Sequence, residues 1–218
     1  MNLAACIFDL EGIIINTSKY HFLAWKRLAM ELGFDLSFEQ NQKMAGLGSM
    51  NSVELLLEMG GIKMEDGEKY AAVNKKNFWY QSFIQKLTAD EILPGVYEFL
   101  IELKTNHILL GLGSANRSTK MILQRLELYN LFNTIIDWTV ALKIKPDPEI
   151  FLKVLEDLNV KSSDCLVFES SAPGIEASHK SGILCIGVGN PNELKSADFV
   201  IPGFDAIEWS DILKMLIH

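Results

Sequence analysis

Residues 8–16 read FDLEGIIIN, and the stretch leading into them, residues 3–8, reads LAACIF. The run from Leu3 to Phe8 is apolar without alternation, the pattern of a strand covered on both faces in a parallel sheet. It stops at Asp9, and a second acid, Glu11, follows just before Gly12. In an open parallel sheet the ligand site lies outside the carboxyl ends of the strands. Two acids at the mouth of such a strand therefore stand where chemistry is done.

Five more runs of the same kind follow: HILLGLGS (107–114), NTIIDWT (133–139), DCLVFE (164–169), ILCIGVG (183–189) and DFVI (198–201). Helical patterns separate them, so the expected fold class is α/β, a doubly wound parallel sheet of Rossmann-like type. Residues 17–90 break the alternation. TSKYHFLAWKRLAMELG has a capping residue at Thr17 or Ser18 and stops at Gly33, and DGEKYAAVNKKNFWYQSFIQKL is a long helical pattern. An inserted helical cap domain is expected over 16–90, with the core formed by 1–15 and 91–218. Pro94 and Gly95 mark the return to the α/β pattern.

The 218 residues suffice for a substantial core, in one domain or two, and 49% of them are hydrophobic. The formal net charge of −8 argues against a nucleic-acid partner, because no basic surplus exists to neutralise a phosphate backbone. Cys6, Cys165 and Cys185 each fall in an apolar run without CxxC spacing, so they read as reduced core thiols. No apolar run approaches the roughly 18 residues of a membrane span, and no leader pattern stands at the N-terminus. The expectation is a soluble cytoplasmic protein with no membrane partner.

Four strand ends carry polar chemistry: Asp9 with Glu11, Ser114 with Ala115 and Asn116, Lys145 in KIKPDPEIF, and Glu169 with Ser170. Acids can hold a hard cation, while a lysine, a hydroxyl and backbone amides can hold phosphoryl oxygens. Asp9 could then attack phosphorus and form an acyl phosphate. Each element alone has an ordinary explanation. A single Asp at a strand end is commonly a turn residue, and a single Lys before Pro is commonly solvated. All four in order at successive strand ends favour the site.

FDLEGIIINTSKYHFLAWKRLA, GLGSANRS, KIKPDPEIF and FESSAPGIEASHKSGILCIGVG resemble the four motifs of the haloacid dehalogenase superfamily, in the form found in its β-phosphoglucomutase-like subfamily. The resemblance spans nearly the whole chain, including the helical insertion. It implies an aspartyl-phosphate phosphotransferase using Mg²⁺ on a phosphorylated small molecule, a hexose phosphate, and a monomer. On the matching positions, Asp9 is the nucleophile and a metal ligand. Glu11 is the general acid and base, its carbonyl facing the metal. Ser114, Ala115 and Asn116 form the phosphoryl loop with Arg117 nearby, Lys145 is the clamp, and Glu169 and Ser170 are the remaining metal positions. Thr17, His21 and Lys76 fall at hinge and substrate-gating positions of the cap, and Gly46, Ser49 and Ser52 at substrate positions in MAGLGSMNSVE. The implied cap closes to exclude water.

The chain departs from the family pattern at named points. Glu11 is one methylene longer than the family's aspartate, and a misplacement of about 1 Å can cost on the order of 100-fold in rate. Ser170 replaces a metal-binding aspartate, Ser49 replaces an arginine that grips a second phosphate, and Asn16 replaces an aspartate of the hinge motif. Three readings stay open: a β-phosphoglucomutase-like phosphotransferase, a phosphatase of small phosphorylated metabolites, and a catalytically weak relative that binds a phosphometabolite or a protein. Ordinary readings also stand for the cap residues. His21 and Trp25, four apart on one helix face, can be core packing. Lys76 in NKKNFWYQ can be a solvated face, and Phe78, Trp79, Tyr80 and Phe83 can seal the long helix against its neighbours.

Overall fold

The structure is a computed structural model that describes residues 3–44 and 47–217. It divides into two compact units, one of Met1–Asn16 with Leu87–His218 and one of Thr17–Lys86. The first is the expected doubly wound α/β sheet. β1 (Ala5–Phe8), β2 (Leu109–Ser114), β3 (Thr134–Asp137), β4 (Cys165–Glu169), β5 (Leu184–Val188) and β6 (Phe199–Ile201) form one sheet in the order β3-β2-β1-β4-β5-β6. Every neighbouring pair is parallel. All six apolar runs read from the sequence are strands.

The two faces of the sheet explain why these runs lack polar positions. Phe8 stacks on Phe168 of β4 with centroids 4.9 Å apart, and Phe99 meets Phe8 edge-on at 6.5 Å. Phe99 belongs to helix α5, Val96–Thr105 in the numbering that follows. On the opposite face Ala5, Ile7 and Val167 pack with Ile150, Phe151 and Val154 of α7 (Glu149–Leu158). Such burial is worth roughly 1.5–3 kcal/mol for each large side chain. Cys6, Cys165 and Cys185 are buried and unpaired by disulfide, as their apolar surroundings imply.

Strand order decides where the site lies. The chain winds from β1 outward through β2 and β3, then returns to the other side of β1 with β4, so the order reverses between β1 and β4. The register pairs Phe8 with Phe168, which brings the next residues, Asp9 and Glu169, side by side at that reversal.

The second unit is helical, with α1 (Ser18–Glu31), α2 (Phe38–Gln42), α3 (Ser49–Gly60) and α4 (Asp66–Ile84). Its bounds, Thr17 and Lys86, differ from the expected 16–90. Leu87 is buried and is grouped with the sheet unit, together with the 3₁₀ turn at Ala89–Glu91. Among the described residues no helix is long and apolar enough to cross a membrane.

Candidate active site

Asp9 is the first residue past β1 and is largely buried. Its Oδ2 accepts from the Glu11 backbone N–H at 3.1 Å, closing the turn that Gly12 completes at φ +72°. A Cβ at Gly12 would stand 2.6 Å from Ser170 Oγ, so both backbone and space require glycine there. The Lys145 ammonium donates to Asp9 Oδ1 at 2.7 Å, to Glu169 Oε1 at 2.6 Å and to the Gly113 carbonyl at 3.2 Å. Three strand ends and the loop entering α7 thus meet at one nitrogen.

Burial opposes the Lys145 charge, but the Asp9 and Glu169 carboxylates outweigh it and hold its pKa above the ordinary lysine range. Burial raises the pKa of Glu169, with Lys145 pulling the other way and Asp9 adding to the rise. Glu169 Oε2 accepts from the backbone N–H of Ser170 and Ser171 at 2.8 and 2.9 Å and from Ser171 Oγ at 3.0 Å. Ser171 Oγ in turn accepts from Gly174 N–H at the start of α8 (Ala172–Lys180). A Cβ on Gly174 would lie 1.8 Å from Glu169 Oε1, so α8 approaches the carboxylate only because residue 174 has no side chain. Ser171 and Gly174 escaped the sequence reading, although the pattern SAPG, with a serine cap and a proline just inside the helix, marks a helix start.

At the end of β2, buried Ser114 accepts from the Asn116 backbone N–H at 3.2 Å, while Ala115 is exposed. Asn116 Nδ2 donates to Glu11 Oε1 at 3.0 Å. Arg117 is exposed and its guanidinium lies 4.3 Å from the ring of Trp138. That stacking holds the cation at the sheet's carboxyl end, and Trp138 was not singled out from the sequence.

The donor set bears on the expected metal. Asp9, the Glu11 carbonyl and Glu169 are all oxygen donors, the chemistry a hard cation takes. Among the described residues, however, no three His, Cys, Asp or Glu side chains group as a metal cluster. Ser170 instead donates its hydroxyl to the Glu11 carbonyl at 2.7 Å. The oxygens fit a cation in kind, with two carboxylates and a bond from Ser170 already on the carbonyl.

The remaining candidates belong to the helical unit. Lys76 is not on a solvated face: it is only 2% exposed, because it points in from α4 among aromatic rings. Its ammonium lies 2.9 Å from His21 Nδ1, 4.9 Å from the Trp25 ring centre and 5.2 Å from that of Tyr80. His21 stacks on Tyr80 at 4.0 Å, and Tyr80 Oη donates to Thr17 Oγ1 at 3.2 Å. Thr17 stands at the N-terminal boundary of α1, but no side-chain cap bond is made there. Of the aromatics expected to seal α4, Trp79 and Tyr80 are buried, whereas Phe78 is 67% exposed. Ser49 begins α3 at an exposed position and Ser52 is buried, its hydroxyl 3.4 Å from the Leu47 carbonyl. Gly46 lies outside the described residues.

Burial lowers the Lys76 pKa from 10.5 to about 8. Burial, and then the Lys76 charge, lowers that of His21 to about 3. The folded state thus binds fewer protons than the unfolded chain, and stability rises with pH across each window. For Lys76 the cost of the buried charge is full below about pH 8 and is relieved between there and 10.5. Lys76→Met is therefore expected to stabilise the protein by about 1–3 kcal/mol at pH 7, a gain that fades toward pH 10. Denaturant melts at both pH values check this, and a destabilised Lys76→Met protein at pH 7 rejects it.

A family model, that of haloacid dehalogenase-like hydrolases, matches residues 6–188. The chain belongs to this family. The chain is 37% identical over 218 residues to the beta-phosphoglucomutase of Bacillus subtilis, an alignment covering 99% of this chain and 94% of that one. It is 30% identical to the phosphorylated carbohydrates phosphatase of Thermotoga maritima over 83% of this chain and 82% of that one. The crystal structure of the beta-phosphoglucomutase from Clostridium difficile has a TM-score of 0.84 to this chain at 34% identity, covering 98% of this chain and 96% of that one.

Proposed function

We propose that this chain is a sugar-phosphate phosphotransferase of the β-phosphoglucomutase kind, working through an aspartyl phosphate on Asp9. The observation that carries the reading is the Lys145 ammonium bridging Asp9 Oδ1 and Glu169 Oε1 at 2.7 and 2.6 Å. A buried lysine held between two carboxylates stays charged, so it can offset the anionic repulsion when Asp9 meets a phosphate. In the first half-reaction an Asp9 oxygen bonds to phosphorus as the bond from phosphorus to the leaving oxygen breaks, and Glu11 gives that oxygen its proton. In the second, Glu11 takes a proton from the acceptor hydroxyl as that oxygen attacks phosphorus and Asp9 leaves. Ser114, Ala115 and Asn116 hold the phosphoryl group, with Arg117 beside them.

In this reading Asp9, the Glu11 carbonyl and Glu169 hold Mg²⁺ with the Ser170 hydroxyl alongside. The ion would supply positive charge to the phosphoryl oxygens. The substrate is a hexose phosphate, with β-glucose 1-phosphate and glucose 6-phosphate as the mutase pair, and Thr17, His21, Gly46, Ser49, Ser52 and Lys76 are assigned to gating and substrate contacts. The reading also takes the protein as a cytoplasmic monomer without nucleic-acid or membrane partners, with the helical unit Thr17–Lys86 as its cap domain.

A second reading, hydrolysis of a phosphorylated metabolite, is favoured by Ser49. A serine offers one hydroxyl where a second phosphate is gripped by the five donors of an arginine. Incubation with Mg²⁺ and acetyl phosphate followed by intact mass separates the readings. A lasting gain of one phosphoryl group is the mutase-type result, and rapid phosphate release without it is the phosphatase result. A protein that does neither is a binding relative, and both enzymatic readings fall. Ser170→Asp is expected to tighten Mg²⁺ binding by about tenfold or more, since it adds a charged ligand and removes the hydroxyl bonded to the Glu11 carbonyl. Isothermal titration checks it, and unchanged affinity sinks this account of the metal corner.

A further inference from the structure

We infer that Asn116 is a positioning residue for Glu11, a role separate from contact with the phosphoryl group; this rests on Glu11 being the acid and base of the proposed reaction. A glutamate has one more side-chain torsion than an aspartate, so it spreads its carboxylate over more positions unless something holds it. Here something does: Asn116 Nδ2 donates to Glu11 Oε1 at 3.0 Å, across 105 residues of sequence.

Asn116 is itself a fixed post. Its Oδ1 accepts from the Ser118 backbone N–H at 2.8 Å, which sets the orientation of the amide and turns Nδ2 toward Glu11. Its backbone N–H donates to Ser114 Oγ at 3.2 Å, and its carbonyl accepts from Thr119 Oγ1 at 2.6 Å. The residue is thereby anchored by its backbone and its amide oxygen at three atoms around the end of β2, while its Nδ2 is turned to Glu11. The backbone of Glu11 is held separately, by Ser170 Oγ donating to its carbonyl at 2.7 Å. An aspartate at position 11 would be shorter by roughly 1.5 Å and would fall short of the amide. The longer acid and the asparagine thus work as a pair.

The test uses four full-length proteins: the parent, Asn116→Ala, Glu11→Asp, and the double variant, assayed with Mg²⁺ for turnover of acetyl phosphate and of β-glucose 1-phosphate. In the parent background Asn116→Ala is expected to lower kcat by about 10- to 100-fold while KM moves by no more than about threefold. In the Glu11→Asp background the same substitution is expected to cost at least about tenfold less, because no bond to residue 11 remains to be lost. Equal losses in both backgrounds, or a loss confined to KM, overturn the inference and leave Asn116 as a loop or phosphate residue. Asn116→Asp keeps an acceptor for Ser118 but sets a second carboxylate against Glu11, and it should lose kcat as Asn116→Ala does. A readout that needs no turnover is the NMR signal of the Asn116 side-chain amide, expected to move in Glu11→Ala. Signals coincident with the parent's overturn the hold. If none of the proteins turns over either substrate, the phosphotransferase reading fails while the NMR comparison still decides whether Asn116 holds Glu11.

Discussion

Asp9→Asn is expected to abolish covalent phosphorylation and to lower turnover by at least about 10⁴-fold. An amide of the same size lacks the anionic oxygen that bonds to phosphorus, so the loss falls on chemistry rather than on shape. The structure adds a second consequence. Asp9 presents two acceptor oxygens, one to the Lys145 ammonium and one to the Glu11 N–H. Asparagine keeps one acceptor and turns an NH₂ donor toward the other partner, so a donor faces a donor. A loss of about 1–3 kcal/mol of stability follows from that mismatch. Intact mass after acetyl phosphate treatment, with steady-state turnover and a denaturant melt, measures all three effects. An Asp9→Asn protein that still acquires a phosphoryl group, or that turns over within tenfold of the parent, moves the nucleophile elsewhere.

The sheet was readable because parallel strands covered on both faces leave no alternation to confuse them, and runs such as LAACIF admit few other placements. The chemistry at the strand ends was readable for a related reason. Once strand order is that of a doubly wound sheet, Asp9 and Glu169 must fall at the reversal between β1 and β4. What could not be read were bonds between residues far apart in the chain that no periodicity encodes. Ser170 to the Glu11 carbonyl spans 159 residues, and Asn116 to the Glu11 side chain spans 105. The burial of Lys76, a residue the resemblance had placed among the gating positions, was hidden for a different reason. Its neighbours in NKKNFWYQ are polar or aromatic, and only the helix's rotation shows that this one lysine turns inward to Trp25 and Tyr80.

These long-range bonds give the departures from the family pattern a common location. Glu11 and Ser170, the two departures that the motif resemblance implies, touch: the Ser170 hydroxyl donates to the Glu11 carbonyl. Asn116 joins them through the Glu11 carboxylate. Placing an aspartate at 170 therefore alters the hold on residue 11 as well as the charge near the proposed metal position. The effects of Ser170→Asp and Glu11→Asp should be non-additive, as expected for residues in one hydrogen-bonded network.

Lys145→Met is expected to lose activity by on the order of 10³-fold and to destabilise the fold by about 3–5 kcal/mol. The two effects have different sources. Methionine matches the lysine stem in size and keeps its contact near Phe151, over whose ring the ammonium sits at 4.9 Å. What is lost is the charge that faces Asp9 and Glu169. Without it two carboxylates meet at the end of adjacent strands, and Glu169, fully buried, keeps only neutral donors from Ser170 and Ser171. An uncompensated buried charge is the costly outcome of breaking an ion pair, whereas removing both partners is far cheaper. The double variant Lys145→Met with Glu169→Gln should therefore recover at least about half of the lost stability, because a neutral amide takes the buried position. It should recover no activity, because phosphorus would still approach Asp9 with no ammonium beside it. Urea melts of the parent, both single variants and the double variant, read with turnover on acetyl phosphate, complete the cycle. If the double variant is no more stable than Lys145→Met alone, charge repulsion is not what the lysine relieves, and its part in offsetting the anionic phosphate loses its basis.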